Sequence, residues 1–326
     1  MPRREPRARA ARSQRRLTAP VSPRALSVGL VLLTALACDA RPSRGGGSTS
    51  GGESAESDPF FDETATETAT DTVVDAAGTA HVFTRPAQRI VSLVPSATIT
   101  LRALGAEGSL VGRTDYDTAA WAADIPSVGG GLDPNLEAIL VLRPDLVIRF
   151  GGEQDPRTPA RLDEMDIRHI DVRPTSIEGI FRTTEIVGRV TGHEQAADSL
   201  ARSIRDGLAA LEARVADMPR LRVAYVLGGS PPWVSGPGTY IDEILSLAGG
   251  DNVFSDLRSP YTSVSPEALL TRDIEVVLVS NTGALGEGLT AGARVEVIGD
   301  ALENPGPGVV EAAWAVAEAM HGQALR

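Results

Sequence analysis

Hydrophobic and polar positions divide the chain into three stretches of different character. Residues 25–37 are an apolar run without charged residues, and residues 39–72 are dominated by Gly, Ser, Thr and acidic residues. From residue 73 onwards, apolar residues either alternate with polar ones or recur at the period of a helix. Alternation predicts strands and the longer period predicts helices, so we expect the folded body to begin at residue 73.

Strands and helices alternate along the first part of this body. Strands are predicted in a hairpin around Gly78 and at 89–95, 110–112, 145–148 and 168–172, and helices before Gly105 and over 135–142. Strands that alternate with helices indicate a parallel sheet covered by helices. The sequence therefore predicts an N-terminal α/β lobe over residues 73–175.

A long helical stretch follows this lobe. Apolar residues recur at helical spacing over residues 176–218, with Gly192 as a possible break. A second alternating region then opens with a strand at 222–227 and continues to the C-terminus. We expect one bridging helix over 176–218 and a C-terminal α/β lobe over 219–326.

The two lobes carry an internal repeat. EAILVLRPDLVI, starting at Glu137, corresponds without gaps to EALLTRDIEVVL, starting at Glu267. RIVSL at residue 89 matches RVAYV at residue 222, and the helix ends with their following loops match as well. Three matches in the same order indicate a duplication. The predicted fold is therefore α/β, with two Rossmann-like lobes joined by a single long helix and a ligand cleft between the lobes.

Charge is spread unevenly along the chain. The net charge is −12, yet the first 37 residues hold eight Arg against one Glu, so the rest carries about −19. A body this acidic argues against nucleic acid as a partner, because phosphate binding needs a basic surface.

The N-terminus has the features of an export signal. An Arg-rich stretch precedes the apolar run, which is too short to span a bilayer, and small residues lead to Cys38. This order is typical of a secretory signal peptide over residues 1–37. Ala35-Leu36-Ala37-Cys38 resembles a bacterial lipobox, in which the cysteine is lipidated. A simple signal peptide cut near Cys38 is the alternative.

Residues 38–72 contain almost nothing to bury, which predicts a disordered tether. Such a segment spans roughly 30–35 Å. We therefore expect a lipid-anchored protein at the extracytoplasmic face of a membrane, or in the periplasm.

Aromatic residues are scarce, at 4% of the chain, so their positions are informative. Tyr116, Phe150, Trp233 and Tyr261 follow predicted strands or lie in Gly- and Pro-containing loops. Ligands of open α/β sheets bind beyond the carboxyl ends of the strands. The four rings therefore predict a cleft for a broad planar or macrocyclic ligand, although they could instead fill the interface between the lobes.

Polar candidates for the cleft are fewer. Arg149 ends a predicted strand beside Phe150 and could pair with a ligand carboxylate or phosphate. The four histidines are scattered, so no metal site of the protein's own is expected. No G-x-S-x-G or G-x-G-x-x-G motif occurs at a suitable place. We do not expect an enzyme, although a secreted lipoprotein enzyme or sensor remains the alternative from another class.

Glu137 and Glu267 open short helices at equivalent places of the two lobes. Each carboxylate could simply complement the helix dipole. A matched pair also fits a two-fold symmetric partner that offers a basic pocket on each subunit.

These motifs together resemble the cobalamin-binding proteins of ABC importers. The resemblance rests on RIVSLVPSAT, NLEAILVLRPDLVI, GGSPPWVSG, LAGGDNVF and SPEALL, and it covers roughly residues 73–321. The wider class also includes ferric siderophore and haem binders. One departure is that a pocket tryptophan of the cobalamin binders is replaced here around residues 129–131.

The resemblance implies a monomeric solute-binding protein without a cofactor of its own. The ligand would be a chelate such as cobalamin, haem or a ferric siderophore. Tyr116, Phe150, Trp233 and Tyr261 would contact its ring, and Glu137 and Glu267 would dock onto arginines of a permease dimer.

Overall fold

The computed structural model describes residues 71–152, 155–285, 292–300 and 302–326. The predicted signal peptide, Cys38 and nearly all of the predicted tether lie outside these residues. The tether boundary at residue 72 is corrected, because the first strand already begins at Asp71. The Asp71 carboxylate pairs with the Arg189 guanidinium, which fixes this residue to the folded body.

The N-terminal lobe is built on a parallel sheet in the order β4-β3-β5-β6. A separate antiparallel hairpin, β1–β2, precedes it, and Asp75 ties this hairpin to the sheet by accepting a hydrogen bond from the Asp171 amide. The elements are β1 (Asp71–Val74), β2 (Ala80–Phe83), β3 (Ile90–Ser92), α1 (Pro95–Ala103), β4 (Leu110–Gly112), α2 (Leu136–Leu142), β5 (Leu146–Phe150), α3 (Arg157–Glu164) and β6 (His169–Val172).

The C-terminal lobe has a mixed sheet. Strands β7, β11 and β12 run parallel, β9 pairs in parallel with the start of β7, and β8 and β10 add an antiparallel edge beside its end. The elements are β7 (Leu221–Gly228), β8 (Trp233–Ser235), α6 (Tyr240–Leu247), β9 (Gly250–Asn252), β10 (Tyr261–Ser263), α7 (Pro266–Thr271), β11 (Val276–Val279), β12 (Arg294–Val297) and α8 (Val309–His321).

The connection between the lobes differs from the predicted helix over 176–218. It consists of two helices, α4 (Ile177–Thr191) and α5 (Glu194–Val215), separated at Gly192, which adopts a left-handed conformation. Helix α4 begins near the C-terminal lobe, where its Ile177 amide donates to Glu243, and ends against the N-terminal lobe. Helix α5 then runs back from the N-terminal lobe to the C-terminal lobe, with Leu200 packed against both hydrophobic cores.

The internal repeat is confirmed in three dimensions. From residue 133 to 150 and from 263 to 280, the order of buried, half-buried and exposed positions is identical. Both helices start after a polar residue, Asn135 or Ser265. Ile139 and Leu269 are the buried residues of these helices.

Equivalent hydrogen bonds fix each copy to its sheet. The Asp145 carboxylate accepts from the Arg89 amide at 2.9 Å, and the Glu275 carboxylate accepts from the Arg222 amide at 2.9 Å. The Arg89 guanidinium donates to the carbonyl of Arg143, as the Arg222 guanidinium does to that of Asp273. The duplication therefore extends to the contacts that position helices α2 and α7.

Within the described residues, no helix combines the length and the apolar character needed to cross a bilayer.

The crossing of α4 and α5 depends on Gly188. A Cβ atom at this position would lie 2.5 Å from the Ala197 Cβ, which is too close for two carbon atoms. We expect Gly188→Ala to lower the free energy of unfolding by about 1–3 kcal/mol, because the helices must move apart. Denaturant unfolding measures this, with Gly108→Ala as control, since a Cβ there meets nothing within 4 Å. Equal stability of the two variants would contradict close packing at this crossing.

Candidate functional site

A cavity of about 860 Å³ lies between the two lobes, and a second one of about 410 Å³ adjoins it. Strand β5 of one lobe and strand β7 of the other end here, as does the N-terminus of helix α1. Val94, Pro95 and Phe150 line both cavities. The cleft therefore lies where the carboxyl ends of parallel strands meet, which is the usual binding place in α/β folds.

The structure brings the four aromatic candidates together in this cleft. Phe150, Trp233 and Tyr261 line the larger cavity, and Tyr116 lines the smaller one with Phe150. Tyr116 is 70% exposed and Trp233 is 48% exposed, so neither ring is used to fill a core. Trp121 lies elsewhere, packed into the N-terminal core beneath the Arg102 guanidinium.

Two of these rings are held by the antiparallel edge of the C-terminal sheet. Trp233 begins β8 and pairs with Ser263, while Tyr261 begins β10 and pairs with Ser235. The Ser235 hydroxyl is itself hydrogen-bonded to Thr239 at 2.7 Å, below the sheet edge. In the part of the chain that the structure describes, the strands of the N-terminal sheet are all parallel, and no such edge is present. The added strands therefore place two large rings on one wall of the cleft.

Sequence reasoning missed two further tyrosines that line the larger cavity, Tyr225 and Tyr240. Tyr225 lies in the predicted strand at 222–227, where an aromatic residue is usually core, and Tyr240 lies in a stretch for which no element was predicted. Tyr240 donates a hydrogen bond from its hydroxyl to the Leu302 carbonyl. Burial raises the pKa of Tyr225 and of Tyr261 to about 12, and it also raises the pKa of Tyr240. The three phenols are therefore protonated at neutral pH.

Arg149 does not lie in the cleft, so its predicted role as a ligand contact is corrected. Its guanidinium pairs with the Asp171 carboxylate at 2.7 Å, and only 8% of the residue is exposed. Successive side chains of a strand point to opposite sides, so Phe150 reaches the cleft while Arg149 turns away from it. Burial raises the pKa of Asp171, although the Arg149 charge acts against this rise.

The described lining of the two cavities contains two charged residues, Glu303 and Asp133, and both are acidic. Arg157 approaches Asp133 to 3.7 Å, but its side chain is 82% exposed at the rim. No lysine occurs in the sequence, and the undescribed residues between 152 and 302 include no arginine or histidine. The cleft is therefore aromatic and negatively charged.

The glycine run at 129–131 lies beside the smaller cavity, which Gly130 and Gly131 line together with Tyr116. A Cβ at Gly131 would lie 2.5 Å from the Leu93 carbonyl oxygen. No side chain fits at that position without moving the backbone. The replacement of the pocket tryptophan therefore lies at the wall of the smaller cavity.

The segment at 302–305 also went unpredicted. Leu302, Glu303, Asn304 and Pro305 line the larger cavity from the C-terminal lobe. This segment is an irregular loop before α8, and such loops carry no periodic signal. The Pro- and Gly-rich composition of residues 305–308 was the available indication of a loop.

Glu137 and Glu267 lie away from the cavities, exposed at equivalent positions of helices α2 and α7. Each is the second residue of its helix. The Glu267 pKa is held below its ordinary value, because its own backbone amide and the Ser265 hydroxyl donate to the carboxylate. Glu267 therefore remains ionised in mildly acidic solution.

Within the described part of the chain, no three His, Cys, Asp or Glu side chains are arranged to hold a metal ion.

Comparisons with known proteins agree with this architecture. A cobalamin-binding protein of Halobacterium salinarum is 34% identical over 231 residues, which are 68% of this chain and 61% of that protein. The crystal structure of the periplasmic vitamin B12 binding protein of Vibrio cholerae matches with a TM-score of 0.64 at 27% identity. It covers 72% of this chain and 97% of that one.

A periplasmic haem binding protein from Pseudomonas aeruginosa gives the same TM-score of 0.64 at 25% identity, over 73% of this chain and 94% of that one. The similarity thus extends to proteins with different ligands. Residues 90–298 match the family model described as periplasmic binding protein. They include the main sheet of each lobe, helices α4 and α5 and most of the cleft lining. The chain belongs to the periplasmic binding protein family.

Proposed function

We propose that this chain binds cobalamin or a related corrinoid and delivers it to an ABC importer. The observation that carries the proposal is the inter-lobe cleft, which is aromatic and has no basic residue in its described lining. Each large ring can cover on the order of 150–250 Å² of a ligand. The metal would arrive within the ligand, and the protein would need no cofactor of its own.

The charge of the cleft separates the possible ligands. Haem carries two propionates, and many ferric siderophores are anionic, so both are best bound beside arginines. Here the lining offers Glu303 and Asp133 instead. A corrinoid whose side chains are mostly uncharged amides avoids this repulsion. The electrostatics of the cleft therefore favour a corrinoid.

Haem is the second candidate, because Tyr116 is exposed in the smaller cavity and could serve as an axial ligand. The similarity to a haem binding protein supports it as well. Tyr261 is a weaker candidate, since burial raises its pKa to about 12 and an axial tyrosine binds as the phenolate.

Delivery would use the two glutamates. Exposed carboxylates at equivalent positions of a duplicated fold can contact both subunits of a symmetric permease in the same way. We further propose that the chain acts as a monomer at the extracytoplasmic face, anchored through a lipid on Cys38. The proposal involves no catalytic step.

The ligand assignment is tested by calorimetric titration of the purified chain with cyanocobalamin, dicyanocobinamide, haem and a ferric hydroxamate. We expect the two corrinoids to bind and haem, the anionic member of the panel, to bind weakly; the ferric hydroxamate tests whether the cleft excludes a chelate that carries no negative charge. Trp233→Ala should weaken corrinoid binding about 10- to 100-fold, because it removes a large ring from the cleft. Trp314→Ala is the matched control, since that indole lies on helix α8 outside both cavities. Preferential haem binding would contradict the proposal.

The burial of the cleft tyrosines is tested by alkaline titration, in which the absorbance of the phenolate reports the ionisation of each phenol. In Tyr116→Phe, the remaining tyrosines are Tyr225, Tyr240 and Tyr261, whose pKa values are all raised by burial. We expect these to stay largely protonated up to pH 11. Because a phenol ionises near pH 10 in the unfolded chain, the folded state should lose stability as the pH rises above 10. Full ionisation of the three phenols by pH 10.5 in the folded variant would contradict their burial.

Docking is tested by reversing both charges in Glu137→Arg with Glu267→Arg. We expect the double variant to lose stimulation of corrinoid uptake by the reconstituted cognate importer, while corrinoid affinity stays unchanged. The matched control reverses Glu178 and Glu194, which are exposed first-turn glutamates on α4 and α5. An unchanged uptake rate, or a loss of ligand affinity, would refute the docking role.

A further inference from the structure

Ser96 lies at the point where helix α1 meets the cleft. It is the second residue of this nine-residue helix, and together with Val94 and Pro95 it lines the larger cavity. The N-terminus of a helix has backbone N–H groups without intrahelical partners and a partial positive charge. The start of α1 therefore directs hydrogen-bond donors towards the space between the lobes.

The hydroxyl of Ser96 is buried without a partner. The residue is 2% exposed, and among the described residues no acceptor or donor is placed to bond its Oγ. The other hydroxyls of the helix behave differently: Thr98 donates to the Val94 carbonyl, and Thr100 donates to the Ser96 carbonyl at 2.8 Å. Buried polar groups are nearly always bonded, so the unpaired Ser96 Oγ requires an explanation.

Among the described residues, no side chain caps this end of the helix. Val94, at the N-cap position, has no side-chain oxygen, and its carbonyl already accepts from the amides of Ala97 and Thr98. Pro95 has no N–H group to offer. The Ser96 hydroxyl and amide are therefore the donors nearest to the open end of the helix.

The C-terminal lobe covers Ser96 in this structure. A Cβ at Gly306 would lie 3.6 to 3.9 Å from the carbonyl oxygen, Cβ and Cα of Ser96. Gly306 follows directly on the cavity-lining residues Asn304 and Pro305. Ser96 thus lies at the contact between the lobes, where a small separation exposes the hydroxyl to the cavity.

We infer that Ser96 donates a hydrogen bond to a carboxamide carbonyl oxygen of the bound ligand, and that it thereby helps the cleft to select amide-bearing chelates. The inference rests on the proposed function and specifies the chemistry of one contact within it. Entry of the ligand moves the segment around Gly306 away and supplies the partner that Ser96 Oγ lacks.

The charge of the cleft distinguishes an amide from a carboxylate at this contact. Both groups offer an acceptor oxygen, and a helix N-terminus alone would favour the anion. The cavity that Ser96 lines also contains Glu303, and its described lining has no cation to balance a second carboxylate. An uncharged carbonyl oxygen accepts from Ser96 without that repulsion.

The experiment compares Ser96→Ala with the unaltered chain by titration with cyanocobalamin and with dicyanocobinamide, which lacks the nucleotide and its phosphate. We expect affinity for both to fall about three- to tenfold, as for loss of one hydrogen bond to a neutral group. Ser96→Cys, which keeps the size but has a weaker donor, should show a loss in the same direction. Thr100→Val is the control: it removes a hydroxyl of the same helix that bonds within the helix, and affinity should not change.

Other results would overturn either the inference about Ser96 or the proposed function. Equal affinity of Ser96→Ala and the unaltered chain would overturn the inference, since the hydroxyl would then be bonded to water in both states. A loss confined to cyanocobalamin would overturn it as well, because the contact would be to the phosphate. If the unaltered chain binds neither corrinoid, the proposed function itself fails, which separates the two failures. Thermal unfolding of the Ser96 variants should match that of the unaltered chain, which excludes misfolding as the cause of a loss.

Discussion

The arrangement of the molecule depends on helices α4 and α5, because side chains of each enter both hydrophobic cores; in α4, Ile180 packs into the C-terminal core and Val187 into the N-terminal core. Ala197 packs into the N-terminal core, Ile204 and the residues after it pack into the C-terminal core, and Leu200 touches both. A continuous helix resists bending, because its backbone hydrogen bonds and its packing must change together. The lobes are therefore held at a nearly fixed separation, and the width of the cleft follows from it.

A rigid bridge suits a bulky and rigid ligand. The cleft is about 860 Å³ in volume, and Phe150, Trp233 and Tyr261 lie in its walls. A site that needs little rearrangement loses little conformational entropy on binding. The segment of residues 302–306 has no regular structure and lies over the start of α1. It is therefore the part of the cleft wall that can change position most easily. Small movements there can adjust the fit without bending α5.

Much of the fold was predictable from the sequence. Strand and helix patterns alternate clearly, and the repeat can be recognised in the segments that start at Glu137 and Glu267. The break after Thr191 was indicated by Gly192, but only the packing shows that α4 and α5 both contact the two cores. The direction of Arg149 also had a signal in the sequence, since it cannot share a side of the strand with Phe150. Ser96 had no such signal, and composition indicated only a loop near residue 305; their place in the cleft arises from contacts between distant parts of the chain.

The duplication is preserved at the surface around Glu137 and Glu267 but not in the walls of the cleft. Around Glu137 and Glu267 the helices, their buried residues and their supporting hydrogen bonds remain equivalent. Around the cleft the copies have diverged, since the C-terminal lobe carries an antiparallel edge with Trp233 and Tyr261. Symmetry is useful where the proposed partner is two-fold symmetric. A corrinoid has no such symmetry, so unequal cleft walls allow it to be held in one orientation.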